Sequence, residues 1–229
     1  VGQCRYCGKH GFLLSVDEFG LCAGCRPGVA LDITQRTRIV NESSKHVEES
    51  KNLSTRLSRC DLAIQHLEYI HDTYELRGIM LVAPSAEEQI AKLVWARDEC
   101  VVEDVQAKVE KAKRKADIAT TATTRVNAYS PALLAIAEGK PEMRDSSRLE
   151  PYEVEVKRAV HAAQLSSYVE AAEKAEFKGN AKKALDQYQE ALYFLKTDDV
   201  DDQLQAAELA RISSKIADLG GSVGGSVSE

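Results

Sequence analysis

Four of the six cysteines fall within the first 25 residues of this 229-residue chain, as Cys4-x2-Cys7 and, with fourteen residues between the pairs, Cys22-x2-Cys25. A Cys-x2-Cys turn aims two thiolates at one point, and its backbone amides can donate to the sulfurs, so two such turns complete a tetrahedral set of soft ligands. The spacing predicts one structural zinc ion on Cys4, Cys7, Cys22 and Cys25. Four protein thiolates leave no open position for water or substrate, which favours a folding staple over a catalyst. Two disulfides are the alternative use of the same residues. They are disfavoured because the sequence shows no basic-then-apolar leader and no apolar run of about 18 residues, so a cytoplasmic, reducing compartment and no membrane contact are expected. His10, between the pairs, reads as an exposed turn histidine rather than a ligand.

Gly8, Gly11 and Gly20 punctuate the apolar positions Phe12, Leu13, Leu14, Val16 and Phe19, which read as a short β-hairpin turning near Asp17 and Glu18. A Cys4/Cys7 knuckle, a β-hairpin, and Cys22/Cys25 at the entry to a long helix resemble the treble-clef class of zinc fingers, with a plain zinc ribbon next in likeness. The resemblance covers residues 1–30 and rests on the four cysteines. It implies a bound metal and little else, since treble clefs serve DNA binding, ubiquitin transfer and protein docking alike.

The expected fold is mostly α: the small finger (1–28), a long antiparallel helical hairpin (29–127), a linker (128–151), a repeat-like three-helix unit (152–219) and a flexible tail (220–229). No proline occurs between Pro27 and Pro84, and Leu53, Leu57, Cys60, Ile64, Leu67, His71 and Tyr74 recur at steps of four and three, the seam of a helix packed lengthwise. The stripe thins upstream to Ile33, Ile39, Val40 and Val47, which places that part near or beyond the end of the packed region. Ser85 followed by Glu87 and Glu88 opens a new helix with a polar cap and an acidic first turn. Its stripe is Ile90, Val94, Val101, Val105, Ala112, Ala116 and Ala119. Folding back at about residue 81 puts Cys60 and Cys100 at one height, as buried, reduced thiols. The linker reading rests on Pro131, Gly139, Pro141 and Pro151 and on the polar run 144–148.

In the last third, Tyr168, Ala171, Ala172, Ala175, Gly179, Ala184, Tyr188 and Ala191 stand at the offsets of the packing residues of a tetratricopeptide repeat. The resemblance covers one copy, residues 168–195. It departs from the repeat in having Tyr168 for Trp, Ala171-Ala172 for Leu-Gly and Lys196 for the terminal Pro. It implies a helical hairpin, completed by a capping helix, that holds a protein partner on its first helix. Tyr168 is the expected anchor, with Lys157, Arg158 and Lys174 as polar contacts, and a place in the helical core is the alternative for Tyr168. A plain three-helix bundle accounts for the same residues.

Charge separates the remaining readings. The six excess negatives of the 30 basic and 36 acidic residues all lie after residue 129, so the C-terminal part disfavours nucleic acid. The basic run Lys108, Lys111, Lys113, Arg114 and Lys115 is interleaved with acids and reads as a solvated helix face. No P-loop, dinucleotide-binding turn, nucleophile elbow or zinc-protease motif is present, and no enzymatic activity is expected. The expected function is that of a zinc-binding adaptor or structural protein with a protein partner, the long helices also offering a surface for self-association. A nucleic-acid-associated module, or the accessory region of a larger enzyme, is the alternative.

Overall fold

Seven α-helices and one two-stranded hairpin form the computed structural model, which describes residues 2–198 and 205–221. The chain divides into two units, one of residues up to 105 together with 137–149, the other of 106–136 together with 150 onward. The mostly α fold is as expected. Among the described residues no helix is long and apolar enough to cross a membrane. Residues 222–229 of the expected tail (220–229), and residues 199–204, lie outside the described residues.

In the first unit, β1 (Gly2–Gln3) pairs antiparallel with β2 (His10–Gly11), and α1 (Arg26–Glu49) is followed by α2 (Leu53–Thr73). The first helix of the expected hairpin is therefore broken in two. Ser50 turns extended, its Oγ accepts from the Asn52 N–H at 3.2 Å, and Asn52 Oδ1 caps α2 by accepting from the Thr55 N–H at 2.9 Å. Three contacts fix the resulting antiparallel pair: Tyr74 OH to Asp32 (2.7 Å), Arg36 to His66 (3.2 Å) and Arg56 Nε to the Val47 carbonyl (3.2 Å). Ile33, Val40 and Val47 are buried on α1, as are Cys60, Ala63, Leu67 and Ile70 on α2. The upstream stripe thus packs against the downstream one instead of projecting beyond it. Two shorter helices form because the chain turns extended at Ser50 and Asn52 caps the second, and folding back buries both stripes at once.

A left-handed Gly78 (φ 75°) leads towards α3 (Ala86–Asp117), whose first turn carries the expected cap, Ser85 Oγ accepting from the Glu88 N–H at 3.3 Å. Val101, Val105, Ala112 and Ala116 are buried on it as expected, with Val109 added. The linker expected over 128–151 is mostly helical instead: α4 spans Ala122–Gly139 with Pro131 inside it, followed by two short 3-10 turns. Proline inside a helix costs about 3 kcal/mol, and the burial of Tyr129, Ala132, Ala135 and Ile136 on one face offsets that penalty. Residues 137–149 are tied down as well. Buried Asp98 accepts from the N–H groups of Arg144 and Asp145 at 3.1 and 3.2 Å, and a Cβ on Gly139 would lie 2.7 Å from Val101 Cγ1.

The second unit holds α5 (Glu150–Phe177), α6 (Ala181–Thr197) and α7 (Ala206–Asp218). Gly179 (φ 71°) turns the chain and Asn180 caps α6 through the Lys183 N–H at 3.1 Å. Val169, Ala172, Tyr188, Ala191, Leu192, Leu195, Ile212 and Ile216 form its core. Small alanines on α5 and α6 let the two helices approach closely, and Tyr188 fills the space towards α7.

Candidate metal centre

The two cysteine turns are built by different local means. In the first, the Cys4 N–H donates to the Lys9 carbonyl at 2.8 Å and the Gly8 N–H to the Cys4 carbonyl at 2.9 Å, inside the β1–β2 pair. Gly8 takes φ 73°, a left-handed conformation that a Cβ would penalise. In the second, the Cys22 carbonyl accepts from the N–H groups of Cys25 and Arg26, both at 3.0 Å, and Cys25 is the residue that opens α1. Asp17 holds the loop between them, accepting from the Phe19 and Leu21 N–H groups at 2.9 and 2.8 Å and pairing with Arg26 at 2.5 Å. The Leu21 amide, acting with Arg26 and the Phe19 amide against partial desolvation, holds the Asp17 carboxyl below the usual carboxylate range.

The hairpin expected around Asp17 is reduced to a single bridge, Val16 to Cys22; the regular pairing lies on either side of the first cysteine turn. Phe12 and Leu13, read as part of that hairpin, are 89% and 94% exposed. The finger is also not a domain apart. Leu21, Cys4 and Cys22 share one core with Val29, Leu67, Ile70, Tyr74 and Ile79, and Tyr6 stacks on Tyr74 at 5.9 Å between ring centres.

The four sulfurs of Cys4, Cys7, Cys22 and Cys25 all lie within 4.8 Å of one another, with Cys7 and Cys22 4.0 Å apart. A tetrahedron with metal–sulfur bonds of about 2.3 Å has edges of about 3.8 Å, so the set needs only a small contraction to hold a metal ion. Its polar environment suits anionic sulfur. The Cys22 N–H points at Cys4 Sγ (3.4 Å), and although burial works against it, hydrogen bonds from the backbones of Cys7, Cys22 and Tyr6 bring the Cys4 thiol down to about 6. Crowding acts the other way on Cys25, whose thiol is pushed up to about 12 by the sulfurs of Cys22 and Cys7. Four thiolates so close repel one another until a cation lies among them. Cys4 and Cys22 are buried and Cys7 is exposed. All four ligand positions come from protein. His10 sits exposed on β2, outside the sulfur cluster.

The residues expected to hold a partner are only partly brought together. Lys157 and Arg158 line a groove of about 1140 Å³ in the second unit, whose wall includes His161, Leu165, Val169 and Phe194. Lys157 pairs with Glu153 at 2.7 Å. Lys174 is exposed and does not line the groove, and Tyr168 packs half-buried against Phe194 (5.8 Å between ring centres) at the edge of the helical core. The groove contains a hydrogen-bonded pair that the sequence reading missed, His161 Nε2 with Asp198 at 2.5 Å, with the His161 ring stacked on Phe194. Of the basic run, Lys113 pairs with Glu110 and Glu155.

These features define a helical protein with a four-cysteine metal-binding module at its N-terminal end. No protein-family model matches the chain, and no curated protein and no solved structure matches it either.

Proposed function

We propose that this chain is a non-enzymatic zinc-binding adaptor. The observation that carries the reading is the convergence of four cysteine sulfurs into a closed, metal-sized cluster. Zinc suits such a set because tetrahedral thiolate coordination asks nothing of it beyond geometry, and a site saturated by protein ligands serves stability rather than catalysis. Cys25 at the start of α1 and Leu21 in the shared core couple the metal to the first helical pair, so the ion fixes how the finger meets the helices. The adaptor part of the proposal assigns partner binding to the groove on α5, where apolar Leu165 and Phe194 lie beside Lys157, Arg158 and the His161–Asp198 pair.

Elemental analysis of protein purified without chelators tests the metal: one zinc per chain is expected, and protein that is folded but metal-free, or loaded with iron, refutes the assignment. The adaptor assignment is tested by partner capture with Arg158→Glu and Lys174→Glu variants over a salt series. Loss of capture with Arg158→Glu, retention with Lys174→Glu and weak salt dependence are expected. A loss of affinity by about 10³-fold or more between about 50 and 200 mM salt would instead signal phosphate contacts.

A further inference from the structure

Cys60 on α2 and Cys100 on α3 lie outside the metal centre, in a small buried cluster with Val47 that Leu53 and Leu57 border. They are 0% and 1% exposed, as the sequence register implies for thiols serving as small apolar residues. Their surroundings are more specific than packing requires. Both belong to this one small cluster, and each acts on the other: the neighbouring sulfur pushes the Cys60 thiol up while it brings Cys100 down to about 7. Burial opposes the lowering at Cys100, the charge of Arg56 supports it, and the Glu103 carboxylate works against it. Arg56, with a side chain 22% exposed, is held in place by the Val47 carbonyl (3.2 Å) and Glu103 (2.7 Å) at the edge of this apolar cluster, where Asp61 and Arg97 also act on Cys60. A thiolate with a guanidinium beside it and a second thiol in reach is the arrangement in which oxidation ends in an intramolecular disulfide.

We propose that Cys60 and Cys100 form a redox-responsive dithiol that hydroperoxides convert to a disulfide tying α2 to α3. The Cys100 thiolate attacks one oxygen of the hydroperoxide, the O–O bond breaks, and the other oxygen leaves as an alcohol, or as water when the oxidant is hydrogen peroxide, after taking a proton. Cys100 is then a sulfenic acid. Cys60 attacks that sulfur, the S–S bond forms, the S–O bond breaks, and the oxygen departs as water carrying the Cys60 proton. Two thiols lose two electrons and the hydroperoxide gains them. Arg56 acts as a positioning residue that favours the thiolate at Cys100. Burial admits a small peroxide through local opening and keeps bulky thiols from intercepting the sulfenic acid.

The experiment uses the full chain, reduced and loaded with zinc, treated with hydrogen peroxide, then denatured, alkylated, digested and mapped by mass spectrometry. The expected product is a Cys60–Cys100 cross-linked peptide pair, with an intact mass lower by about 2 Da, retained zinc, reversal by dithiothreitol and a raised melting temperature. Arg56→Met is expected to slow cross-linking without abolishing it. Three results would overturn the proposal: Cys60 and Cys100 both recovered as alkylated thiols, Cys100 accumulating as sulfinic acid beside a free Cys60, or disulfides confined to Cys4, Cys7, Cys22 and Cys25. Because the wild-type map decides the matter, the outcome does not depend on a variant folding.

Discussion

Removing one oxygen from the core of the second unit gives a measurable test of how its three helices are held. Tyr188 is 1% exposed, and its hydroxyl donates to Glu176 Oε2 on α5 at 2.8 Å, while Lys215 on α7 reaches the same carboxylate at 3.2 Å. Tyr188→Phe keeps the ring and its packing and deletes only that hydrogen bond. Bonds to a charged acceptor contribute about 1.5–3 kcal/mol. Glu176 retains Lys215 and a side chain 27% exposed, so water can replace the lost donor and the low end, about 1.5 kcal/mol, applies. Native-state amide exchange on α6 should then accelerate about tenfold. The effect should also depend on pH. The Tyr188 hydroxyl first, and Lys215 after it, hold the Glu176 carboxyl below its ordinary value despite some desolvation. A carboxylate lowered in this way adds stability above its unfolded value of about 4.3 and loses it as pH falls through the folded value. The difference between wild type and Tyr188→Phe should therefore be full near neutrality and shrink in acid below about pH 4. Unchanged exchange at neutral pH, or a difference that grows in acid, would refute the assignment of Tyr188 as the link between α5 and α6.

Cys22→Ser should abolish stoichiometric metal binding and lower the melting temperature of the first unit, since Cys22 belongs to the core shared with α1 and α2, while circular dichroism keeps most of its helical signal. Asn52→Ala removes the cap that starts α2 and should cost about 1 kcal/mol in urea unfolding. Tyr168→Ala strips a half-buried ring from Phe194 and should cost about 2 kcal/mol, roughly half the penalty for a fully buried aromatic. The corresponding fall in melting temperature should appear whether or not a partner is present. Asp17→Ala removes the acceptor for two backbone N–H groups and Arg26, so a competing chelator should strip the metal faster than from wild type.

The sequence by itself determined what depends on near neighbours along the chain. Two Cys-x2-Cys turns bring their thiolates together through contacts spanning a few residues, so the ligand set was legible in spacing alone. Part of the stripes on α2 and α3 followed from helical periodicity, with Ala63 and Ile70 buried on α2 where Ile64 and His71 were expected, the packing residues of α6 followed from the repeat resemblance, and the α3 cap followed from Ser85 and its acidic first turn. Tertiary structure decided which stripe meets which. Ser50 and Asn52 carried a stop signal that an unbroken proline-free stretch concealed, and only the match between Ile33, Val40 and Val47 on one side and Cys60, Ala63 and Leu67 on the other turned one long helix into two. Pro131 marks a linker by local rules, yet burial of the surrounding alanines and Tyr129 made the segment a helix. Tyr168 and Lys157 share a helix but face different surroundings, Tyr168 packing against Phe194 of α6 and Lys157 pairing with Glu153 one turn before it. The Cys60–Cys100 contact and the His161–Asp198 pair join residues far apart in the chain. Periodicity tells each helix which face to bury, but the partner for that face is chosen by shape and volume across the whole core, a property that no single segment contains.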